Sequence, residues 1–537
     1  MTQQSVDRGT AVGSGVDAGP WWQDSVGYEI YVRSFADSDG DGIGDLAGIT
    51  DKLGYLSDLG IDFIWVTPFY PSPMADWGYD VADFCGVDST FGSLADLDRL
   101  LDQAHERSMR VVIDLVPNHT SHQHAWFRSA QADPNGPYRD YYIWRDPAPD
   151  GGPPNNWVGY FGGSAWALDE ASGQYYLHLF LPEQPDLNWR NPAVHEEFDG
   201  IIRFWLDRGV DGFRIDVAGG LVKDVDLRSN PEIGVWDPAG TRWEQWESFD
   251  HLYDVFQPES LDIFRRWRSI VDEYGAWLMG ETYTLKPEGL ARLVPGDGLH
   301  SGFWFEPMHI DWDVDQIRKA LAPPADLLGD RLLWAASSHD MPRSPTHFGG
   351  GDQGRARTLA LNVLFSCLPG VPVFYQGEEL GLVDGIVPPS AKLDPVGPEG
   401  DVAAGRDGCR TPMPWRPGGQ NGFTEGTPWL SSSQRDEDET AEAQAVEAGS
   451  WYHQYRSLLA ARRGIGPLTG EDVHWEDDGV GHVVRYRRGP VSVAANVSDE
   501  PVTVPVSGSV GLVFGMAGVV HVDGCVELPA HGAAIWT

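Results

Sequence analysis

Eight short apolar segments separated by helix-like stretches constrain the fold of this chain more than any other feature. The segments are too short for helices and have the character of buried strands. Amphipathic helical patterns lie between most of them, as at 45–59 and 93–107. This alternation predicts parallel strands joined by helices, that is, an α/β fold closing into a (β/α)8 TIM barrel. The candidate strands are 28–32, 61–68, 109–117, 212–218, 277–282, 302–306, 332–340 and 372–380.

Three departures from the alternation divide the chain further. The long Pro/Gly/Asn-rich stretch after the third candidate strand predicts an inserted subdomain over the barrel mouth, at 119–191, because long inserts in compact domains are usually functional. The barrel then comprises 21–118 and 192–465, with a second insert near 382–428. Short alternating segments predict a C-terminal antiparallel β-sandwich at 466–537. Residues 1–20 are polar and Gly-rich, and we expect a mobile tail.

Three carboxylates stand where candidate strands end: Asp216 in GFRIDVA, Glu281 in WLMGETY and Asp340 in SSHDMPR. An unpaired buried carboxylate is costly in a core, whereas strand ends of a barrel form its active face. Two such carboxylates are what cleavage of a glycosidic bond requires. Arg214 lies two residues before Asp216, so both side chains share one face of the strand and the guanidinium can orient the carboxylate.

The motifs carrying these acids resemble those of the α-amylase superfamily, glycoside hydrolase family 13. The shared segments are DLVPNHT (114–120), GFRIDVA (212–218), GETY (280–283), SHDMPR (338–343), GIDFIWVTPFYPSP (60–73) and GVPVFYQGEELG (370–381). In that family the position of Asp216 is the nucleophile, that of Glu281 the general acid/base, and that of Asp340 the transition-state stabiliser. The resemblance makes His119 and His339 substrate-hydroxyl histidines.

A narrower resemblance, through QPDLN (184–188), is to the oligo-1,6-glucosidase and α-glucosidase branch, whose members act on ends of short chains. It implies that Asp76 binds hydroxyls of the terminal glucose and that Tyr79 stacks on that sugar. A pocket closed there would explain exo action. It also implies that Phe180, Asp186 and Arg410 contact the first sugar subsites, with Arg406 as an alternative to Arg410.

The predicted function is therefore a retaining, exo-acting α-glucosidase that releases α-glucose from short α-glucosides. Val217 resembles the residue of α-1,6-active enzymes, but the small residues Gly219 and Gly220 suggest room for α-1,4 geometry. An α-glucosyltransferase on the same scaffold is the alternative, and a non-catalytic sugar-binding or transporter-associated relative is more remote because all three acids are present. The segment after Asp340 lacks the Arg-rich loop of sucrose isomerases.

An acidic loop, DSDGDGIGD at 37–45, predicts a structural calcium site. Its candidate ligands are the side chains of Asp37, Asp39, Asp41 and Asp45 and the carbonyl of Ile43. Acidic side chains at alternate positions followed by a backbone oxygen suit a hard Ca²⁺ ion. The loop also resembles the calcium loop after the first barrel strand of α-glucosidases. No organic cofactor is expected.

The net charge of the chain limits the classes of partner that it is expected to bind. Asp and Glu number 80 against 38 Lys and Arg, a formal net charge of −42. Such a surface repels phosphate backbones and anionic membranes, so a small neutral α-glucoside is expected, without nucleic acid or membrane. No apolar leader and no run of ~18 apolar residues is present, which predicts a cytoplasmic protein. We expect a monomer or a small homo-oligomer.

Overall fold

The computed structural model describes residues 19–284, 286–396, 405–431, 433–476, 481–506, 511–522 and 524–537. The predicted N-terminal tail lies outside these ranges except for its last two residues. No helix in the described ranges is long and apolar enough to cross a membrane.

Eight parallel strands close into a barrel in the order β1-β2-β3-β7-β8-β9-β10-β11, which confirms the predicted fold. Each strand is apolar and almost wholly buried, as expected when helices cover the outside and side chains fill the inside. Trp22 stacks on Trp277 at 5.7 Å and fills the bottom of the barrel. The barrel strands are β1 (Gly27–Ile30), β2 (Phe63–Val66), β3 (Arg110–Leu115), β7 (Gly212–Ile215), β8 (Trp277–Gly280), β9 (Ser301–Trp304), β10 (Leu332–Trp334) and β11 (Val371–Tyr375).

Helices surround the barrel, and several have the capping residues that their sequences favour. Asp45 accepts a hydrogen bond from Gly48 N at the start of α2, and Ser93 forms a capping box at the start of α3. The helices are α1 (Val32–Phe35), α2 (Leu46–Leu59), α3 (Leu94–Glu106), α4 (Ala125–Ala132), α5 (Pro192–Arg208), α6 (Arg242–Glu247), α7 (Ser260–Tyr274), α8 (Pro287–Leu293), α9 (Val314–Leu328), α10 (Ser344–His347), α11 (Gly351–Cys367), α12 (Ala441–Val446) and α13 (Trp451–Ile465).

Two β-rich regions accompany the barrel. A three-stranded sheet lies within the insert after β3 and consists of β4 (Trp144–Arg145), β5 (Trp166–Asp169) and β6 (Gln174–Leu177). The C-terminal region forms a five-stranded and a three-stranded antiparallel sheet. Its strands are β12 (Val473–Glu476), β13 (Val483–Arg488), β14 (Val491–Asn496), β15 (Val502–Pro505), β16 (Leu512–Gly515), β17 (Val520–Val522), β18 (Cys525–Leu528) and β19 (Ala533–Trp536).

A buried carboxyl group just after β11 gives a pH-dependent stability. Burial raises the pKa of Glu378 to about 8, and its Oε1 accepts a hydrogen bond from Asn362 Nδ2 at 2.6 Å. Between the unfolded pKa near 4.5 and pH 8 the native state keeps a proton that the unfolded state loses, so stability falls as pH rises through this window.

We therefore expect Glu378→Gln, which mimics the neutral form, to gain melting temperature relative to wild type on going from pH 5 to pH 9. Each unit of pKa difference is worth about 1.4 kcal/mol. Thermal unfolding of both proteins across this range measures the effect, with exposed Glu106→Gln as the matched control. A difference in melting temperature between the two proteins that is the same at every pH would contradict the prediction.

Candidate active site

The predicted site residues come together at the carboxyl ends of the barrel strands. Loops after β2, β3, β7, β8, β10 and β11 each contribute at least one of them, as the parallel topology requires. Seven of the predicted side chains line one cleft: Asp76, Tyr79, His119, Phe180, Asp216, Glu281 and Asp340.

One guanidinium pairs with two of the predicted catalytic carboxylates. Arg214, only 2% exposed on β7, has Nη1 2.6 Å from Asp216 Oδ1 and Nη2 3.2 Å from Glu281 Oε2. The same Nη1 lies 2.8 Å from Asp114 Oδ1 at the end of β3. Two carboxylates bound to different nitrogens of one guanidinium are near neighbours.

Three carboxyl groups around one cation favour retention of a proton within the group. Burial raises the pKa of Asp114 to about 6. Burial also raises the pKa of Asp216, while the Arg214 guanidinium opposes this. One positive charge cannot neutralise three carboxylates in a buried site, so a protonated member of the group is favoured.

Asp340, in contrast, is held in its ionised form. Its Oδ1 lies 2.6 Å from Arg410 Nη2 and 3.1 Å from Arg406 Nη1, and His339 Nε2 is 3.3 Å from Oδ2. Although burial works to raise it, these neighbours hold the pKa of Asp340 well below its usual value. Asp340 is therefore a permanent negative charge in the cleft.

A salt bridge joins two loops at the cleft. Arg406 Nη2 lies 2.7 Å from Asp76 Oδ1, joining the loop after β11 to the loop after β2. Asp394 holds the same guanidinium at 2.8 Å. Of the two arginines left open by the sequence, Arg406 is the one that lines the cleft.

Four predicted site residues are not among those that line the cleft. Arg214 and His339 are 2% and 1% exposed, and Arg410 is similarly buried. Asp186 is fully buried and paired with Lys223 at 2.6 Å. Direct contact of Asp186, His339 and Arg410 with the sugar stays a prediction.

His339 contacts side chains that line the cleft. Its ring stacks on Tyr79 at 5.4 Å, and its Nε2 is 2.8 Å from the Tyr79 hydroxyl. Nδ1 contacts the buried carboxylate of Glu29 on β1. The tyrosine that the resemblance places against the sugar thus has one face already covered by His339.

Val217 adopts a left-handed backbone conformation, with φ of 48°. This is a strained state for a β-branched residue and is typical of functional sites. It aims the Val217 N–H at Glu281 Oε2, 2.9 Å away.

The glycines that follow do not widen the cleft as expected. A Cβ at Gly219 would lie 2.5 Å from the Phe256 ring, and one at Gly220 would lie 2.7 Å from Val217 Cγ1. Close packing therefore accounts for both glycines, and Phe256 fills the space that they were expected to open.

Several functional candidates were missed from sequence. Asp114 was within a quoted motif but was not singled out, and Glu29 and Lys223 had no local signal. Arg242 and Trp243 line the cleft near Tyr283, on which Trp243 stacks at 5.8 Å. Both residues belong to α6, in the long connection between β7 and α7, and it is this connection that brings them to the cleft.

The acidic loop brings together part of the predicted calcium site. Carboxylate oxygens of Asp37, Asp39 and Asp45 lie within 4.8 Å of one another. Asp41 is outside this group, and its Oδ1 accepts a hydrogen bond from Ile43 N at 2.7 Å. Three hard oxygen donors so close together fit a Ca²⁺ ion, although Asp45 also caps α2.

A larger cavity, of about 460 Å³, lies at the opposite end of the barrel beneath Trp21 and Arg462. The predicted catalytic carboxylates do not line it, and the amino-terminal face of such barrels serves stability rather than chemistry. The three predicted catalytic carboxylates line the smaller cleft, which is therefore the candidate active site.

A parallel barrel whose mouth holds a carboxylate pair on one arginine has the architecture of a glycoside hydrolase. The family model for the alpha amylase catalytic domain matches residues 29–468. The chain therefore belongs to the alpha-amylase family, as the sequence motifs indicated.

Individual relatives are similar over nearly the whole chain. A probable alpha-glucosidase of Rhizobium meliloti (strain 1021) is 38% identical, covering 90% of each chain. An oligo-1,6-glucosidase of Heyndrickxia coagulans is 37% identical, covering 90% of this chain and 93% of its own. Among solved structures, the alpha-glucosyl transfer enzyme XgtA superposes with a TM-score of 0.91 at 38% identity, covering 97% of this chain and 99% of its own.

Proposed function

We propose that this protein is a retaining, exo-acting α-glucosidase that releases α-glucose from the non-reducing ends of short α-glucosides. The observation that carries the proposal is the arrangement of Asp216 and Glu281 on the two arms of Arg214, beside the ionised Asp340. The α-glucosidases and oligo-1,6-glucosidases among the relatives support the substrate class.

The mechanism has two displacements. In the first, the Asp216 carboxylate attacks the anomeric carbon while the Glu281 carboxyl gives its proton to the departing glycosidic oxygen. In the second, ionised Glu281 takes a proton from water, whose oxygen displaces Asp216 and restores the α configuration. Asp340 stabilises the positive charge that develops on the sugar ring in both transition states.

We propose that the bridge between Arg406 and Asp76 closes one end of the cleft and so limits the enzyme to exo action. A chain could then not extend past the terminal glucose, and Asp76 and Arg406, which both line the cleft, would lie near that sugar's hydroxyls. We propose α-1,4 maltosides as substrates, with α-1,6 linkages also accepted, because the similar proteins include alpha-glucosidases as well as oligo-1,6-glucosidases.

Proton NMR of maltose and isomaltose hydrolysis tests the proposal. Both disaccharides should yield glucose, and maltotriose should yield maltose and glucose. With 4-nitrophenyl α-glucoside, whose single glucose comes from the non-reducing end, α-glucose should be the first anomer released, and initial release of β-glucose would contradict the retaining mechanism. Attack within longer chains would contradict the closed pocket.

Glucosyl transfer is the second candidate, favoured by the similarity to XgtA. It differs only in the molecule that attacks the glucosyl intermediate, which is a sugar hydroxyl instead of water. Trp243 and Tyr283 offer an aromatic wall beside Glu281 for such an acceptor. A higher yield of oligosaccharides than of free glucose at high maltose concentration would favour this candidate.

We also propose that Asp37, Asp39 and Asp45, with the carbonyl of Ile43, hold a structural Ca²⁺ ion. The loop precedes α2 and lies at the barrel mouth, but none of its residues lines the cleft. Binding to the native state alone would stabilise the protein through mass action.

Chelation with EDTA is therefore expected to lower the melting temperature by a few °C while leaving the initial rate nearly unchanged. Differential scanning fluorimetry with and without added Ca²⁺ measures this. Asp37→Asn should abolish the calcium-dependent shift, and exposed Asp102→Asn is the control. An unchanged melting temperature in EDTA would contradict the calcium site.

A further inference from the structure

Lys223 is a buried cation that the mechanism above does not use. It lies on the loop after β7, seven residues beyond Asp216, and its side chain is only 2% exposed. Its Nζ is 2.6 Å from Asp186 Oδ2 and donates to Asn118 Oδ1 at 2.9 Å. Lys223 thus joins the nucleophile's loop to the loop after β3 and to the inserted subdomain.

Both partners of Lys223 adjoin His119. Asn118 precedes it in the chain and places its amide Nδ2 3.2 Å from His119 Nδ1. Asp186 pairs with His119 through a backbone bridge. Lys223 is therefore linked, through the residues that it contacts, to His119, whose side chain lines the cleft.

The hydrogen-bond chain has a fixed direction. A lysine ammonium can only donate, so it selects the oxygen of the Asn118 amide. The amide nitrogen is then turned toward His119 Nδ1, which must accept. Burial lowers the pKa of His119, so the ring is neutral and carries its single proton on Nε2.

The surroundings of Nε2 agree with this tautomer. The carbonyl oxygen of Tyr79, which can only accept, lies 3.2 Å from it. The Gln184 amide nitrogen, 3.1 Å away, can direct its hydrogens to Asp76 Oδ2 at 3.2 Å. Tyr79 and Asp76 both line the cleft, so Nε2 lies on the cleft side of the ring.

We infer that Lys223 is a positioning residue that acts through Asn118 to keep the His119 proton on Nε2, where the N–H bonds the Tyr79 carbonyl and can share its hydrogen with one hydroxyl of the bound glucose. This inference rests on the proposed function. The loss of Lys223 would let the amide rotate and would free the imidazole to take the other tautomer, which accepts where the sugar needs a donor.

Kinetics with deoxygenated substrates separate this role from a structural one. The probes are 4-nitrophenyl α-glucoside and its 2-, 3-, 4- and 6-deoxy analogues. His119→Ala identifies the hydroxyl concerned, as the analogue on which kcat/KM falls least relative to wild type. The test variants are Asn118→Asp, which is isosteric but turns the donor to His119 into an acceptor, and the double variant Lys223→Met/Asp186→Asn, which removes both buried charges together.

Both test variants should lose about 10- to 100-fold in kcat/KM on the parent glucoside and should lose least on the analogue that His119→Ala identifies. Lys223→Arg, which keeps a buried donor, should retain part of the wild-type preference for the parent glucoside over that analogue. Exposed Asp226→Asn, on the same loop, should behave as wild type. Equal losses on all five substrates, or undiminished discrimination, would overturn the inference.

A second readout does not depend on turnover. In protein labelled with ¹⁵N-histidine, the ring signals lost in His119→Ala should show a proton on Nε2 in wild type and a changed protonation pattern in Asn118→Asp. A wild-type proton on Nδ1 would overturn the inference even if every glucoside is hydrolysed. Absence of hydrolysis with the Nε2 tautomer present would instead count against the proposed function alone.

Discussion

Asp216→Asn is expected to lower kcat for maltose by about 10⁴-fold or more, because an amide oxygen cannot form the glucosyl ester through which both displacements pass. The substitution is isosteric, and Arg214 keeps Asp114 and Glu281 as partners, so the fold should persist. Glucose release by purified variant measures the loss, and the melting temperature verifies folding.

Exposed Asp102→Asn, which removes the same charge far from the cleft, should retain wild-type turnover. Hydrolysis of maltose by Asp216→Asn at a rate near that of wild type would show that another group attacks the anomeric carbon. Loss of activity accompanied by loss of folding would be distinguished by the melting temperature.

Glu281→Gln is the other substitution from which we expect a large loss of activity. Without a proton donor, kcat/KM for maltose should fall by about 10²- to 10⁴-fold, since a sugar leaving group needs protonation. Glucosides with strongly acidic leaving groups need little protonation, so their first displacement should be much less affected. Their glucosyl intermediate should then accumulate, because the base that activates water is also missing.

Azide distinguishes this role from a general loss of structure. As an anionic nucleophile that needs no base, it should restore turnover of 2,4-dinitrophenyl α-glucoside by Glu281→Gln and yield α-glucosyl azide. The same addition should not accelerate Asp216→Asn by that route, because no α-linked product can form without the first displacement. Equal impairment on good and poor leaving groups, without azide rescue, would contradict an acid/base role for Glu281.

The barrel and the position of the three carboxylates at its mouth could be predicted because their signals are local. Apolar segments such as 212–218 identify buried strands, and a carboxylate at the end of such a strand identifies the mouth. The sequence predicts one strand over 332–340, but β10 ends at Trp334. The remainder turns into the loop that carries His339 and Asp340, because these polar side chains pair with groups across the mouth.

The network behind the cleft could not be predicted, because its members meet across long distances in sequence. Arg406 reaches Asp76 from 330 residues away, and His339 reaches Glu29 from 310. Neither pair has any mark in its local sequence. In the C-terminal sheets, the short strands β12 and β18 likewise depend on pairing with their neighbours β13, β15 and β17.

Trapping the glucosyl intermediate tests the central claim most directly. 5-Fluoro-α-glucosyl fluoride has a good leaving group but destabilises both transition states, so the covalent intermediate should outlive the assay. Mass spectrometry of wild type should show one added fluoroglucosyl group on the peptide that contains Asp216, and none on Asp216→Asn. Labelling of a different carboxylate, or turnover of the reagent by Asp216→Asn, would contradict the account.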